Sequence, residues 1–114
     1  MTLNHLNLTV TDPAITSAFL AKYFALRAGG GNGGMQVLYD DNGMVLTLIK
    51  GRAADVKYPP TFHVGFIQPS EQHVNDVNAR LRQDGFHVDP PARMHGAWTF
   101  YFTAPGGFTI EVMS

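Results

Sequence analysis

Thr61-Phe62-His63-Val64-Gly65-Phe66 repeats the pattern of Leu3-Asn4-His5-Leu6-Asn7-Leu8, 58 residues earlier. With His5 set on His63, Leu6 meets Val64 and Leu8 meets Phe66. Both stretches alternate apolar and polar or small residues, which is the period of a half-buried strand. Each is followed by a helix start. Asp12-Pro13 supplies an N-cap carboxylate and a proline at the first helical position, where its missing N–H is not needed. Ser70 is the matching cap in the second copy. An internal repeat of this length decides the architecture of a short chain.

After each cap the spacing becomes helical. Ile15, Ala18, Phe19, Tyr23 and Leu26 form the predicted inner face of the first helix, and Val74, Val77 and Leu81 that of the second, with Gly85 as its stop. The period then returns to two. Met35 to Tyr39 and Met44 to Ile49 flank Asp41-Asn42-Gly43, and Ala97 to Thr103 and Phe108 to Met113 flank Pro105-Gly106-Gly107. Both read as hairpins. A weaker strand is expected before each, near Ala25 to Ala28 and Phe86 to Asp89. The prediction is an α+β fold of two βαβββ modules forming a curved mixed sheet around a cavity. It places one domain over residues 1–114, with module one at 1–50, a linker at 51–60 and module two at 61–114.

Composition narrows the function classes. Net charge is −1 with no basic block, so neither nucleic acid nor an acidic membrane surface is an expected partner. The absence of cysteine removes disulfides, thiol nucleophiles and thiolate metal sites. No apolar run approaches the roughly 20 residues that span a bilayer, and the first residues lack the charged-then-apolar order of a secretory signal. A cytoplasmic protein is expected. Gly29-Gly30-Gly31-Asn32-Gly33-Gly34 lacks the Lys-Ser/Thr of a phosphate loop and reads as a flexible cavity rim.

Strand parity gathers the chemistry on one face. His5, Asn7 and Thr9 oppose Leu6, Leu8 and Val10; His63 and Gly65 oppose Val64 and Phe66. In the last strand, Glu111 opposes Ile110 and Val112, and in its hairpin partner Thr99, Tyr101 and Thr103 oppose Phe100 and Phe102. Glu111 is a carboxylate in an apolar strand, an arrangement that needs a cation or hydrogen-bond donors. Two imidazoles and one carboxylate suit a divalent metal with open positions for a substrate. On this reading His5, His63 and Glu111 are the candidate metal ligands. Tyr101 and His95 are candidate catalytic groups, Tyr101 as a hydrogen-bond donor and His95 as an acid or base near neutral pH. His73 and His87 read as surface residues. Trp98 points away from Tyr101, toward the core or a dimer contact.

The paired repeat, together with Tyr101-Phe102-Thr103-Ala104-Pro105-Gly106-Gly107 running to Glu111, resembles the vicinal oxygen chelate superfamily. That group includes glyoxalase I, bleomycin-resistance proteins, fosfomycin-resistance transferases and extradiol dioxygenases. The resemblance implies metal positions in the first and last strands of each module: His5, Thr47, His63 and Glu111. Glyoxalase-like members carry Glu or Gln where this chain has Thr47, so a His, His, Glu set is more similar to dioxygenases and resistance transferases. His95 stands one residue nearer Phe100 than in the extradiol signature, and Arg93 replaces a small or aliphatic residue there. The implied function is a divalent-metal-dependent enzyme, using Fe, Mn, Zn or Ni, that acts on a small molecule chelating the metal through neighbouring oxygens. The alternative is a metal-free drug-binding protein of the bleomycin-resistance type. The resemblance also implies a homodimer, in which His5 of one chain can join His63 and Glu111 of the other.

Overall fold

A computed structural model describes all 114 residues. The chain forms two compact units, residues 1–58 with 105–107, and residues 59–104 with 108–114. Each carries one βαβββ repeat, as the sequence predicts.

The first unit comprises β1 (His5–Val10), α1 (Pro13–Phe24), β2 (Arg27–Gly31), β3 (Met35–Tyr39) and β4 (Val45–Lys50). Its sheet order is β1-β4-β3-β2, with β1 parallel to β4 and the other pairs antiparallel. Asp12 caps α1, its Oδ1 accepting from the Ile15 N–H at 3.1 Å, and Ala25 ends the helix in the left-handed region at φ 56°. The helix packs on β3 and β4 and buries Thr16, Phe19, Leu20 and Tyr23. Ile15, predicted to face inward, is 59% exposed. Thr16 takes the inward position one residue on, because its hydroxyl meets the Asp12 carbonyl at 2.9 Å and the Pro105 carbonyl at 3.0 Å. Leu8, Val10, Leu20, Leu38 and Leu48 fill the core of this unit. Each such side chain contributes about 1.5–3 kcal/mol through burial.

The glycine run departs from its predicted role as a rim. Gly29, Gly30 and Gly31 lie in β2, which is thereby displaced from the predicted Ala25 to Ala28. A bulge between Ala28 and Gly30 interrupts its register with β3. At Gly31, where φ is +145°, an added Cβ would sit 2.1 Å from the Met35 carbonyl oxygen. A Cβ at Gly29 would fall 2.2 Å from Cε2 of Tyr39, so the glycine leaves room for that ring to lie across the strand. Asn32 closes the turn, its Oδ1 accepting from the N–H groups of Gly34 at 2.8 Å and Met35 at 3.1 Å.

The second unit comprises β5 (His63–Ile67), α2 (Glu71–Gln83), β6 (Ala92–Met94), β7 (Ala97–Ala104) and β8 (Phe108–Met113), in the order β5-β8-β7-β6. Ser70 caps α2, its Oγ accepting from the His73 N–H at 3.3 Å, and Gly85 follows the helix at φ +91°. Phe100, Phe108, Ile110, Val112, Val74 and Leu81 form the core. The strand predicted at Phe86 to Asp89 does not form, and β6 begins at Ala92 instead. Two causes are visible. The buried Asn78 side chain donates to the Asp89 carbonyl at 2.7 Å, which holds this segment against α2. Pro90 and Pro91 then lack the N–H groups a ladder requires. No helix is long and apolar enough to cross a membrane.

Candidate metal and substrate site

The register of the second sheet brings three of the candidate residues together: His63, Tyr101 and Glu111. Glu111 pairs with Gly65 on one side and Tyr101 on the other, so its carboxylate projects between β5 and β7 on the face opposite the phenylalanines. The Tyr101 hydroxyl donates to Glu111 Oε1 at 2.6 Å. The buried Thr99 hydroxyl lies 3.1 Å from the same oxygen and 3.0 Å from the Val112 carbonyl, with one proton for both. The second carboxylate oxygen, Oε2, faces His63 Nε2 at 3.2 Å. Glu111 is 13% exposed and His63 41%, so the pair sits at the surface end of a largely buried carboxylate. Gly65 presents no side chain here; an added Cβ would lie 3.9 Å from Oε2, in ordinary van der Waals contact.

The remaining contacts set protonation. His63 Nδ1 lies 3.0 Å from the Thr61 carbonyl, an obligate acceptor, so Nδ1 carries the proton and Nε2 presents its lone pair when the ring is neutral. The Tyr101 ring meets the His63 ring edge to face at 5.5 Å. Tyr101 is pushed up to about 12, first by its hydrogen bond to Glu111 and then by burial and the carboxylate charge. It is therefore a protonated donor near neutral pH, and its proton is committed to Glu111.

In the first unit, His5 lies at the exposed start of β1 with Nδ1 2.7 Å from Asn4 Oδ1, the same pattern of an imidazole held through Nδ1. Thr47 stands where the repeat puts the counterpart of Glu111, and its hydroxyl lies 2.7 Å from Asn7 Oδ1. No group of three or more His, Asp or Glu side chains of the chain is arranged to hold a metal ion. His95 occupies the exposed turn between β6 and β7 at φ +52°, with no hydrogen bond to His63, Tyr101 or Glu111. Trp98 turns to the helix side, its Nε1–H donating to Asn75 Oδ1 at 2.8 Å. The sequence does not single out Thr99, although parity puts it on the face of Tyr101.

A sequence profile of the glyoxalase/bleomycin resistance protein/dioxygenase superfamily matches residues 2–112. The chain belongs to this superfamily. Among solved structures, a possible glyoxalase from Bacillus cereus is similar at 52% identity and TM-score 0.93, covering 100% of this chain and 99% of the other. A lactoylglutathione lyase from Agrobacterium tumefaciens shares 18% identity at TM-score 0.78, covering 98% and 92%. The oxidase ChaP-H2 shares 22% identity at TM-score 0.76, covering 100% and 93%. At those lower identities the likeness is one of superfamily fold. A comparison with curated protein sequences gives no match.

Proposed function

We propose that this superfamily member is a divalent-metal-dependent enzyme for a small molecule with two neighbouring oxygens. One observation carries the reading. His63 Nε2, its lone pair fixed outward by the Nδ1 contact to Thr61, faces a carboxylate oxygen at 3.2 Å. Two lone pairs at that distance repel unless a cation lies with them, and the cation is a proton or a metal ion. Neutral imidazole and carboxylate are ligand types that fit Fe, Mn, Zn or Ni.

His63 through Nε2 and Glu111 through Oε2 would hold the metal. His5, whose Nδ1 is engaged in the same way, would be the third ligand, supplied by the partner chain of a homodimer. When bound, the metal supplies a Lewis acid that polarises the substrate's oxygens. Tyr101 and Thr99 act on Glu111: by engaging Oε1 they orient the carboxylate so that Oε2 alone faces His63. The exposed His95 remains a candidate acid or base, acting only on a substrate that reaches its turn.

Thr47 favours dioxygenase-like or resistance-transferase-like chemistry, because its hydroxyl is a weak ligand and is engaged by Asn7. The similarity to the Bacillus cereus protein favours glyoxalase-type lyase chemistry as the second reading. Metal analysis of the purified, reconstituted protein beside Glu111→Ala tests the metal reading. Stoichiometric metal in the wild type and its loss in the variant supports it. No metal in either removes it and moves drug binding ahead. Metal-loaded protein offered catechols with oxygen, fosfomycin with thiols, and hemithioacetals then separates the reactions.

A further inference from the structure

The two sheets place different residue pairs at one repeat position. Gly65 pairs with Glu111 across β5 and β8, and Asn7 pairs with Thr47 across β1 and β4. In the second unit the glycine leaves the space beside Glu111 without a side chain. In the first, the Asn7 amide fills that space, and its Oδ1 accepts the Thr47 hydroxyl proton at 2.7 Å. Thr47 has one other acceptor in reach, the Leu6 carbonyl at 3.5 Å, which is long for an O–H donor. The amide is thus oriented with Oδ1 toward β4 and Nδ2 away from it. The two Nδ2 protons have no hydrogen-bond partner in the chain, and Asn7 is exposed.

Asparagine is disfavoured in a strand interior, and this one neither caps a helix nor closes a turn. It stands on the same strand face as His5, two residues away. We propose that Asn7 is a ligand-contacting residue whose Nδ2–H donates to a carboxylate or carbonyl oxygen of the small molecule, and that Thr47 is the positioning residue that fixes the amide. This rests on the reading that the polar strand faces hold the small-molecule site. It assigns to the first unit a hydrogen-bond donor where the second offers a carboxylate.

The test uses the full chain, labelled with nitrogen-15, titrated with oxalate and with catechol, each with and without Zn2+. The proposal expects the Asn7 side-chain amide signals to move on saturation with at least one probe. Asn7→Ala should then bind that probe roughly tenfold more weakly, the scale of a lost hydrogen bond to a charged or strongly polar oxygen. Thr47→Val should shift the free amide signals and weaken the probe, with Thr47→Ser restoring both. Binding by Asn7→Ala within roughly twofold of wild type overturns the proposal, as does a wild type that binds neither probe in either condition. Failure of the metal reading shows separately, as absent Zn2+ uptake, and the metal-free titrations still judge Asn7.

Discussion

Tyr101 donates its hydroxyl proton to Glu111 Oε1 at 2.6 Å, and the opposite oxygen of that carboxylate faces His63 at 3.2 Å. The tyrosine thereby does two things. It satisfies one lone pair of a mostly buried charge, and it fixes which oxygen is left to the histidine. Tyr101→Phe removes both while keeping the ring. Because the carboxylate is charged, the loss is expected to lower unfolding free energy by about 1–2 kcal/mol, measurable by urea denaturation at neutral pH. Metal affinity should fall by roughly tenfold, the usual scale for an outer partner of a metal ligand.

The same contact predicts an alkaline effect with a definite sign. Tyr101 is raised from 10.0 to about 12, so the folded protein favours the neutral phenol more than the unfolded chain does. Its contribution to stability is fully present below about pH 10 and is lost as pH rises through about 12. Stability curves of the wild type and Tyr101→Phe should therefore converge over that interval. Curves that stay parallel there would show that the hydrogen bond does not favour the protonated phenol.

Gly31 and Gly33 differ sharply for neighbouring members of one glycine run. A Cβ at Gly31 meets the Met35 carbonyl oxygen at 2.1 Å with φ at +145°, whereas one at Gly33 meets nothing within 4 Å. Gly31→Ala is expected to destabilise by at least about 1–3 kcal/mol through backbone strain, and Gly33→Ala to change stability by less than about 0.5 kcal/mol. Paired thermal melts decide this.

Thr16 is an inward-facing hydroxyl on α1 whose Oγ1 meets the Pro105 carbonyl at 3.0 Å, and it is fully buried. Thr16→Val keeps the shape and leaves that carbonyl without its donor, at an expected loss of about 1–3 kcal/mol. Thr16→Ser should retain the bond and lose less. If valine proves no worse than serine by chemical denaturation, the hydroxyl is not what selects this residue.

Much of this is legible in the sequence. Asp12-Pro13 and Ser70 mark helix starts because side-chain capping is local chemistry, and Asp41-Asn42-Gly43 and Pro105-Gly106-Gly107 mark turns for the same reason. Parity placed Tyr101 beside Glu111 and His63 on the same sheet face, since side-chain alternation survives any uncertainty in strand ends. Tertiary contacts were not legible. Thr16 displaces Ile15 from the inner face because of a carbonyl 89 residues away, and no local pattern announces that partner. Asn78 and the Pro90-Pro91 pair cancel a strand whose residues favour one, and the glycine run became strand because Tyr39 and the Met35 carbonyl need the space. At the site, the Thr99 contact and the Nδ1 anchors of both histidines depend on side-chain orientation, which spacing does not encode.

In the proposed function, His63 and Glu111 share a metal ion and not merely a proton. Calorimetric titration of Mn2+, Zn2+ and Ni2+ into wild type, His63→Ala and Glu111→Ala at neutral pH tests it most directly. The wild type should bind at least one of these ions saturably at a fixed stoichiometry, and both variants should bind it at least roughly tenfold more weakly. Wild-type binding that both variants retain unchanged, or no binding of any of the three ions, would contradict it.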